Sequence, residues 1–316
     1  MASIDDYVRQ PITDITGFGV GILPFRYLGI PLVAIWVRFS DFNLLLDAMA
    51  TKISSWPRNS LSYEGKLELI RSVLQGMKCF WFSILPIPSA VIDAIYAMCR
   101  KFGCPTKHPP IAWDVLCKPC DDGGMGLKNL KAWNKALLAK TLWKIHLKKD
   151  SLWIRWVNHI YSDVGGVWSW GWNKDNSLLI EQIISIRDEI VQRYGSVDAA
   201  TVCLNGWFGG NQGLSQAYNF FIHNTGRWPW KPLVMKSCIL PKNRFLLWLL
   251  THGKLLTRDR LQFVNDKTCV LCNGAEESVA HLYFECAASK GIWNMHVGVA
   301  THEKDYGSSA AVLKGV

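Results

Sequence analysis

The chain has 316 residues, 49% of them hydrophobic, and it carries a formal net charge of +10 with an isoelectric point near 9.1. This apolar content excludes a disordered tail, and the length suits two or three domains with cores of their own. The most apolar run, residues 79–92, is too short for a bilayer helix and contains Pro86 and Pro88, so we expect no membrane segment. The positive charge favours polyanionic partners without identifying them.

The ten cysteines raise the question of the redox compartment. Because no signal peptide opens the chain, we expect reduced thiols and a nuclear or cytoplasmic location. Residues 1–14 are expected to be a disordered leader, with Asp5 and Asp6 as a surface pair. The glycines of residues 17–21 do not form a phosphate-binding loop, since no lysine follows them as that chemistry requires.

Helical periodicity dominates the pattern from residue 41 onwards. Residues 41–54 predict a helix that Trp56 and Pro57 end, and residues 61–74 predict a capped helix that continues towards Pro86. Ser89 is a candidate N-cap for the next helix. Leucine and tryptophan recur at helical spacing over residues 133–156, which favours buried core over base stacking. The fold class that follows is mainly α.

Basic residues concentrate in two segments. Residues 216–260 contain eight basic residues and one acidic residue, Asp259, a net charge of +7. The candidate nucleic-acid-binding residues of this segment are Lys242, Arg244, Lys254, Arg258 and Arg260. Thr257 is expected to cap a short helix there, so that Arg258 and Arg260 point at solvent or phosphate. Trp248 borders an apolar helix face and is expected to pack, whereas Trp228 could either pack or stack on bases.

The second basic segment runs from Lys128 to Lys149 and holds seven lysines and no acidic residue. On a helical wheel its first three and next three lysines fall on different faces. A solvated lysine-rich helix therefore accounts for it as well as a phosphate-binding stripe does.

The residues with the most specific chemistry are Cys269, Cys272, His281 and Cys286. A close cysteine pair followed by a histidine and a third cysteine can supply the four soft ligands of a closed tetrahedral Zn²⁺ site. The turn-forming pair of residues 273–274 can reverse the chain after the first pair, and residues 276–278 can begin a helix that carries His281 inward. The alternative is a chance grouping of reduced cysteines and a core histidine.

A second metal site is a weaker hypothesis. Cys117 and Cys120 could combine with Cys99, Cys104 and His108, but the spacing is irregular and a proline lies inside the hook. Reduced structural thiols are the alternative. The acidic pair of residues 121–122 precedes glycines and predicts a turn rather than a metal dyad.

Several stretches carry a family resemblance. They are Tyr27–Leu32 (YLGIPL), Leu61–Tyr63 with Leu67–Leu74, Trp113–Leu130 with its GGMGL, Trp168–Trp172 (WSWGW), Ile239–Leu250, Leu255–Leu261 and the cysteine cluster of residues 269–286. Together they resemble the region beyond the polymerase palm in plant non-LTR, LINE-type retrotransposon reverse transcriptases, and the last stretch is the most specific.

The resemblance implies a domain order. Residues 15–105 would be a thumb-like remnant, 106–205 a helical connector, 206–300 a zinc-binding domain and 301–316 a tail. In that family the catalytic carboxylates lie upstream of the segment that resembles residues 17–32, so this chain is expected not to polymerise by itself and not to be an enzyme.

The function expected from these observations is non-catalytic. One structural zinc ion would hold a basic domain that contacts RNA or an RNA–DNA hybrid through phosphates, without a small-molecule substrate or a membrane. The oligomeric state is left open. The alternative is a zinc-stabilised protein-interaction module whose charge only keeps it in solution.

Overall fold

The computed structural model describes residues 6–17, 25–27, 30–32, 38–57, 60–103, 111–161, 166–174, 176–210, 213–222 and 228–292. The expectation of a mainly α fold is confirmed. The α-helices are α1 Asp6–Thr16, α2 Asn43–Ser54, α3 Tyr63–Leu69, α4 Gln75–Ile84, α5 Ser89–Gly103, α6 Trp113–Leu116, α7 Leu130–His146, α8 Leu152–Ile160, α9 Leu178–Tyr194, α10 Val197–Phe208, α11 Gly213–Ile222, α12 Lys231–Val234 and α13 Pro241–Thr251. Strands β1 (Phe25–Tyr27) and β2 (Ile30–Leu32) pair antiparallel.

Shorter turns complete the described elements. Those of 3₁₀ type are Phe39–Phe42, Cys120–Asp122, Gly166–Trp168 and Arg258–Arg260, and those of π type are Ile70–Leu74 and His281–Glu285. The first π turn joins α3 to α4, so residues 63–84 are one continuous helix whose start is capped by Ser62. No helix within the described residues combines the length and apolar character needed to cross a bilayer.

Helix α1 corrects the expectation of disorder at the chain start. Residues 6–14, assigned to the leader, are helical despite Pro11. The helix has a defined C-terminal end, because Gly17 adopts φ +69° and donates its amide to the Thr13 carbonyl at 2.8 Å. The polar composition of residues 1–14 gave no indication of this helix or of its C-terminal cap at Gly17.

The chain divides into two compact units. Unit 1 is formed by the described parts of residues 1–107, 117–119 and 126–225, and unit 2 by those of residues 108–116, 120–125 and 226–316. The regions expected to be thumb-like remnant and connector thus lie mostly in unit 1.

Helix α7 is the centre of unit 1. It packs against α4, α9, α10 and α11. The core around it combines isoleucines of α9 with alanines and leucines of α7, and it is closed by Trp207 and Phe221. The buried side chain of Asn134 is fully hydrogen-bonded: its amide group donates to the Phe82 and Leu85 carbonyls and accepts from the Ile87 amide. One side chain of α7 therefore fixes the turn that follows α4.

Two tyrosine hydroxyls complete the N-terminus of α7. The Asn129 side chain caps the helix by accepting from the Ala132 amide at 3.1 Å. The hydroxyl of Tyr96 accepts from the Leu130 amide at 2.7 Å, and that of Tyr218 accepts from the Asn129 amide at 2.8 Å. Helices α5 and α11 thus both reach the first turn of α7 and satisfy donors that a helix leaves open.

The expectation that the tryptophans of residues 133–156 are core is only partly right. Trp143 is buried beneath Phe208, but Trp153 and Trp156 of α8 are exposed. The reason is that α8 uses Ile154 and Val157 for packing, which leaves the opposite side of this helix outside the core.

In unit 2, two aromatic side chains contact the same backbone carbonyl, that of Gly123. Both Trp248 Nε1 and His252 Nε2 lie 2.8 Å from the Gly123 carbonyl oxygen, and Trp248 is fully buried, so the expectation that it packs is confirmed. Trp228 stacks on His252 and covers Gly123, where φ is +80° and a Cβ would meet the indole at 3.2 Å. Of the two alternatives for Trp228, packing and stacking on bases, the structure shows packing.

Candidate metal centre

The first cysteine pair lies in a tight hairpin. Thr268 and Glu276 form an isolated antiparallel bridge, and the Cys269 amide donates to the Ala275 carbonyl at 2.8 Å. Between them the Asn273 amide returns to the Cys269 carbonyl at 2.9 Å, with Asn273 itself at φ +52°. Asparagine tolerates this left-handed conformation better than most residues, so the predicted turn after Cys272 is confirmed.

The second ligand pair is set by a π turn. The Ser278 hydroxyl accepts from the His281 amide at 3.1 Å and so caps the short helix that the sequence predicts. The Cys286 amide then donates to the His281 carbonyl at 2.7 Å, a bond between residues five apart. This bond matches the His281-to-Cys286 spacing, which an ordinary α-helical turn would not, and it brings the two side chains to one side.

The four side chains converge on one point. The Sγ atoms of Cys269, Cys272 and Cys286 and a ring nitrogen of His281 all lie within 4.8 Å of one another. Cys272 Sγ is 3.3 Å from His281 Nε2, and Cys269 and Cys286 are fully buried. With Zn–S bonds of about 2.3 Å, tetrahedral ligands stand about 3.7 Å apart, so this donor set fits one zinc ion.

Backbone amides point at two of the sulfurs, with different net effects on their pKa values. The amides of Ser289 and Ala288, at the start of the helical residues 287–292, point at the Cys286 thiol and lower its pKa to about 7. The Gly274 amide also lowers the pKa of Cys272, but desolvation and the neighbouring thiols raise it more, so its net pKa is raised. Three thiols this close oppose joint ionisation, and a divalent cation relieves that opposition.

Glu277 joins the metal centre to the preceding basic turn. This buried residue accepts the Arg258 amide on its carboxylate at 3.1 Å and the Asp259 amide on its carbonyl at 3.2 Å. Arg258 Nη1 in turn donates to the Thr268 carbonyl at 2.9 Å, immediately before Cys269. The sequence carries no local signal for this role of Glu277, because its partners lie almost twenty residues away along the chain.

The expected cap by Thr257 is wrong in detail. Thr257 precedes the 3₁₀ turn Arg258–Arg260, but its side chain makes no cap hydrogen bond to the backbone. Its buried hydroxyl donates to the Asp259 carboxylate instead. The amide that a cap would satisfy is taken by Glu277, which the fold brings in from the metal centre.

A family model described as zinc-binding in reverse transcriptase matches residues 213–293. Residues 213–293 are a reverse transcriptase zinc-binding domain. The match lies inside the expected range 206–300 and contains all four side chains of the cluster, so the resemblance to reverse transcriptases and the zinc cofactor are both confirmed for this part of the chain.

A curated relative extends the comparison. The chain is similar to an Arabidopsis thaliana protein provisionally named a ribonuclease H protein, with 27% identity over 128 residues. The matched segment covers 39% of this chain and 21% of that protein, so the match spans about a fifth of the relative.

The basic side chains expected at phosphates occupy different settings around the zinc-binding domain. Lys242 and Lys254 are exposed, at the first turn of α13 and just past its end. Arg260 is exposed and also donates to the Gly253 carbonyl, whereas Arg244 donates to the Ile239 carbonyl at 3.3 Å and is half-buried. Arg258 is engaged with Thr268 as described above. Three of these five side chains are therefore exposed, whereas Arg244 and Arg258 are half-buried and donate hydrogen bonds to backbone carbonyls of the domain.

The other described side chains considered as metal ligands do not belong to the Cys269 cluster. Within the described residues, the Cys269 cluster is the one grouping of three or more metal-ligating side chains. Cys117 is buried and Cys120 half-buried, and Cys104 and His108 lie outside the described residues. The Asp121 carboxylate pairs with Lys231, and its carbonyl accepts the Trp228 amide, which agrees with a structural turn.

Proposed function

We propose that the zinc-binding domain presents exposed cations of α13 and the following turn to the phosphates of RNA or an RNA–DNA hybrid. The observation that carries this proposal is the bond network around Glu277 and Arg258, which ties the basic turn to the metal hairpin. Zinc would act structurally, since four protein ligands leave no open position for a water nucleophile. The chain would thus have a binding role and no catalytic role.

The positions of Lys242 and Lys254 at the two ends of α13 support this proposal. Helix α13 ends at Thr251 with His252 as its C-cap, and the Lys254 amide donates to the Leu249 carbonyl at 2.9 Å, which holds Lys254 close to the helix end. Lys242 stands at the opposite end of the same helix. A rigid helix that carries an exposed lysine near each end can follow a sugar–phosphate backbone without reading base edges.

We assign different roles to the five candidate residues. Lys242, Lys254 and Arg260 are the proposed phosphate contacts, because their side chains are exposed. Arg258 and Arg244 are proposed to position the backbone first, through the carbonyls of Thr268 and Ile239. Substituting Arg258 should therefore disturb the zinc hairpin as well as any binding.

A fluorescence anisotropy titration of a labelled RNA–DNA hybrid tests the proposal. Affinity should fall about a hundredfold or more between 50 and 200 mM salt if several phosphates are contacted, and it should be lost in Cys269→Ser. Absent or salt-independent binding by the zinc-loaded protein would contradict it.

A second candidate function is a zinc-stabilised protein-interaction module. It is favoured by exposed apolar side chains on the domain, among them Phe263, Val270 and Leu271. The same titration separates the two functions, because this module would leave the hybrid unbound while its metal content is unchanged.

A further inference from the structure

Helix α8 presents an apolar face that nothing in unit 1 covers among the described residues. Leu152, Trp153, Trp156 and Ile160 are 84%, 38%, 57% and 56% exposed, and their spacing places them on one side of the helix. Two of these four side chains are tryptophans, which a folded domain seldom leaves in water without a use.

The helix that carries this face is firmly held. Ser151 caps α8 by accepting from the Ile154 amide at 3.2 Å, and Ile154 and Val157 are buried on the core side. Helix α8 also packs against α7. The exposed tryptophans therefore stand on a fixed support, which lowers the entropy cost of binding a flat ligand against them.

Positive charge collects in the segment that leads into α8. Between residues 144 and 160 there are four basic residues and one acidic residue, and the acidic one, Asp150, is paired with Arg155. Lys144 and Lys148 are exposed at the end of α7, and Lys149 lies 4.4 Å from the Trp143 ring centroid. The turn that joins α7 to α8 is thus cationic.

Lysines earlier in this run have a different setting. Lys131 lies 3.8 Å from the Asp93 carboxylate, and Lys135 pairs with Glu189 at 2.7 Å. Acidic partners thus offset charge at the start of α7, while the end nearest α8 keeps a positive excess. This division follows the two faces that the sequence predicts for the lysine run.

We propose that this corner, formed by Lys144, Lys148, Lys149 and the exposed face of α8, binds unpaired bases of single-stranded nucleic acid. Bases would stack on Trp153 and Trp156 while the lysines contact the backbone phosphates. Flat aromatic rings beside cations suit a base with its phosphate better than they suit an apolar protein surface, for which leucines alone would serve. Bases of a duplex are already stacked, so single strands are the preferred ligand.

The experiment compares three versions of the full chain. Anisotropy is measured with labelled 12-nucleotide oligouridylate, 12-nucleotide oligothymidylate and a 12-base-pair RNA–DNA hybrid. The double variant Trp153→Leu/Trp156→Leu keeps an apolar face but cannot stack, and Trp153→Phe/Trp156→Phe keeps aromatic rings. We expect the leucine variant to bind single strands at least about tenfold more weakly, and the phenylalanine variant to recover most of that loss.

The outcomes separate this proposal from the function assigned to the zinc-binding domain. Hybrid binding should be unchanged in the leucine variant, because the corner belongs to unit 1. If the native chain does not bind the hybrid, the function proposed for the zinc-binding domain fails, but the single-strand measurement still tests the corner. Equal single-strand affinity in all three versions would overturn the proposal. So would an equal loss in the leucine and phenylalanine variants, or capture of the native chain by phosphatidylserine vesicles that oligouridylate does not compete away.

Discussion

At the scale of single residues, Glu277 decides how the metal centre reaches the basic turn. Its carboxylate is buried and accepts the Arg258 amide, so it caps a turn that Thr257 leaves uncapped. A carboxylate in this position accepts the amide of Arg258, which would otherwise have no partner in the turn, and its negative charge offsets the positive charge of the Arg258 side chain.

Replacing Glu277 with alanine should destabilise unit 2 by about 1 to 3 kcal/mol, because the partly buried Arg258 amide loses a charged acceptor. Chemical denaturation of the zinc-loaded protein measures the loss. Glu277→Gln keeps an acceptor of the same shape and is the matched control, with a smaller expected loss. An alanine variant as stable as the native protein would show that this hydrogen bond contributes nothing.

The cluster of Cys269, Cys272, His281 and Cys286 could be predicted because soft ligands at short spacing are rare outside metal sites. Glu277 and Arg258 could not be assigned correctly, since an acidic residue before Ser278 looks like a helix start and an arginine in a basic run looks like a phosphate contact. Their roles depend on the hairpin of residues 268–276, which brings Arg258 to the Thr268 carbonyl.

At the scale of elements, the start of α7 is the most informative place in unit 1. The Tyr218 hydroxyl is mostly buried where it accepts the Asn129 amide, and burial is the main cause that raises its pKa to about 12. Burial also raises the pKa of Tyr96, whose hydroxyl accepts the Leu130 amide.

Unit 1 should therefore lose stability in alkaline solution. Because the folded-state pKa of Tyr218 is raised above its ordinary value of 10, its contribution is complete below pH 10 and declines as pH rises through about 12. Denaturation midpoints followed by circular dichroism between pH 9 and 11.5 test this decline. The decline should be shallower in Tyr218→Phe, and an identical pH dependence in that variant would contradict the assignment.

The long helices could be predicted from periodicity and capping residues. Residues 63–84 form a helix where the pattern places one, with Ser62 as its N-cap. The exposed side of α8 could not be predicted, because leucine and tryptophan at helical spacing indicate an apolar face but not whether another element covers it.

At the scale of the whole molecule, the net charge of +10 is divided between distinct places. Unit 1 carries a cationic corner beside α8, and unit 2 carries exposed lysines at the ends of α13. Composition predicted polyanionic partners, but only the fold separates lysines with carboxylate partners from those left exposed.

The exposed lysines of α13 should control the salt dependence of hybrid binding. Lys242→Ala combined with Lys254→Ala should lower the slope of log affinity against log salt by about 1 to 2, because a phosphate that no lysine neutralises keeps its counterions when the protein binds. Lys52→Ala, which removes an exposed lysine from α2 in unit 1, is the control and should leave the slope unchanged. Equal slopes in all three proteins would exclude these lysines as phosphate ligands.

Metal analysis of the purified chain, combined with hydrogen exchange, tests the zinc-dependent architecture most directly. We predict one zinc ion per chain, its loss in both Cys269→Ser and His281→Ala, and rapid amide exchange over residues 268–286 once zinc is chelated, while the core around α7 stays protected. A metal-free protein whose residues 268–286 are as protected as in the zinc-loaded form would contradict the account.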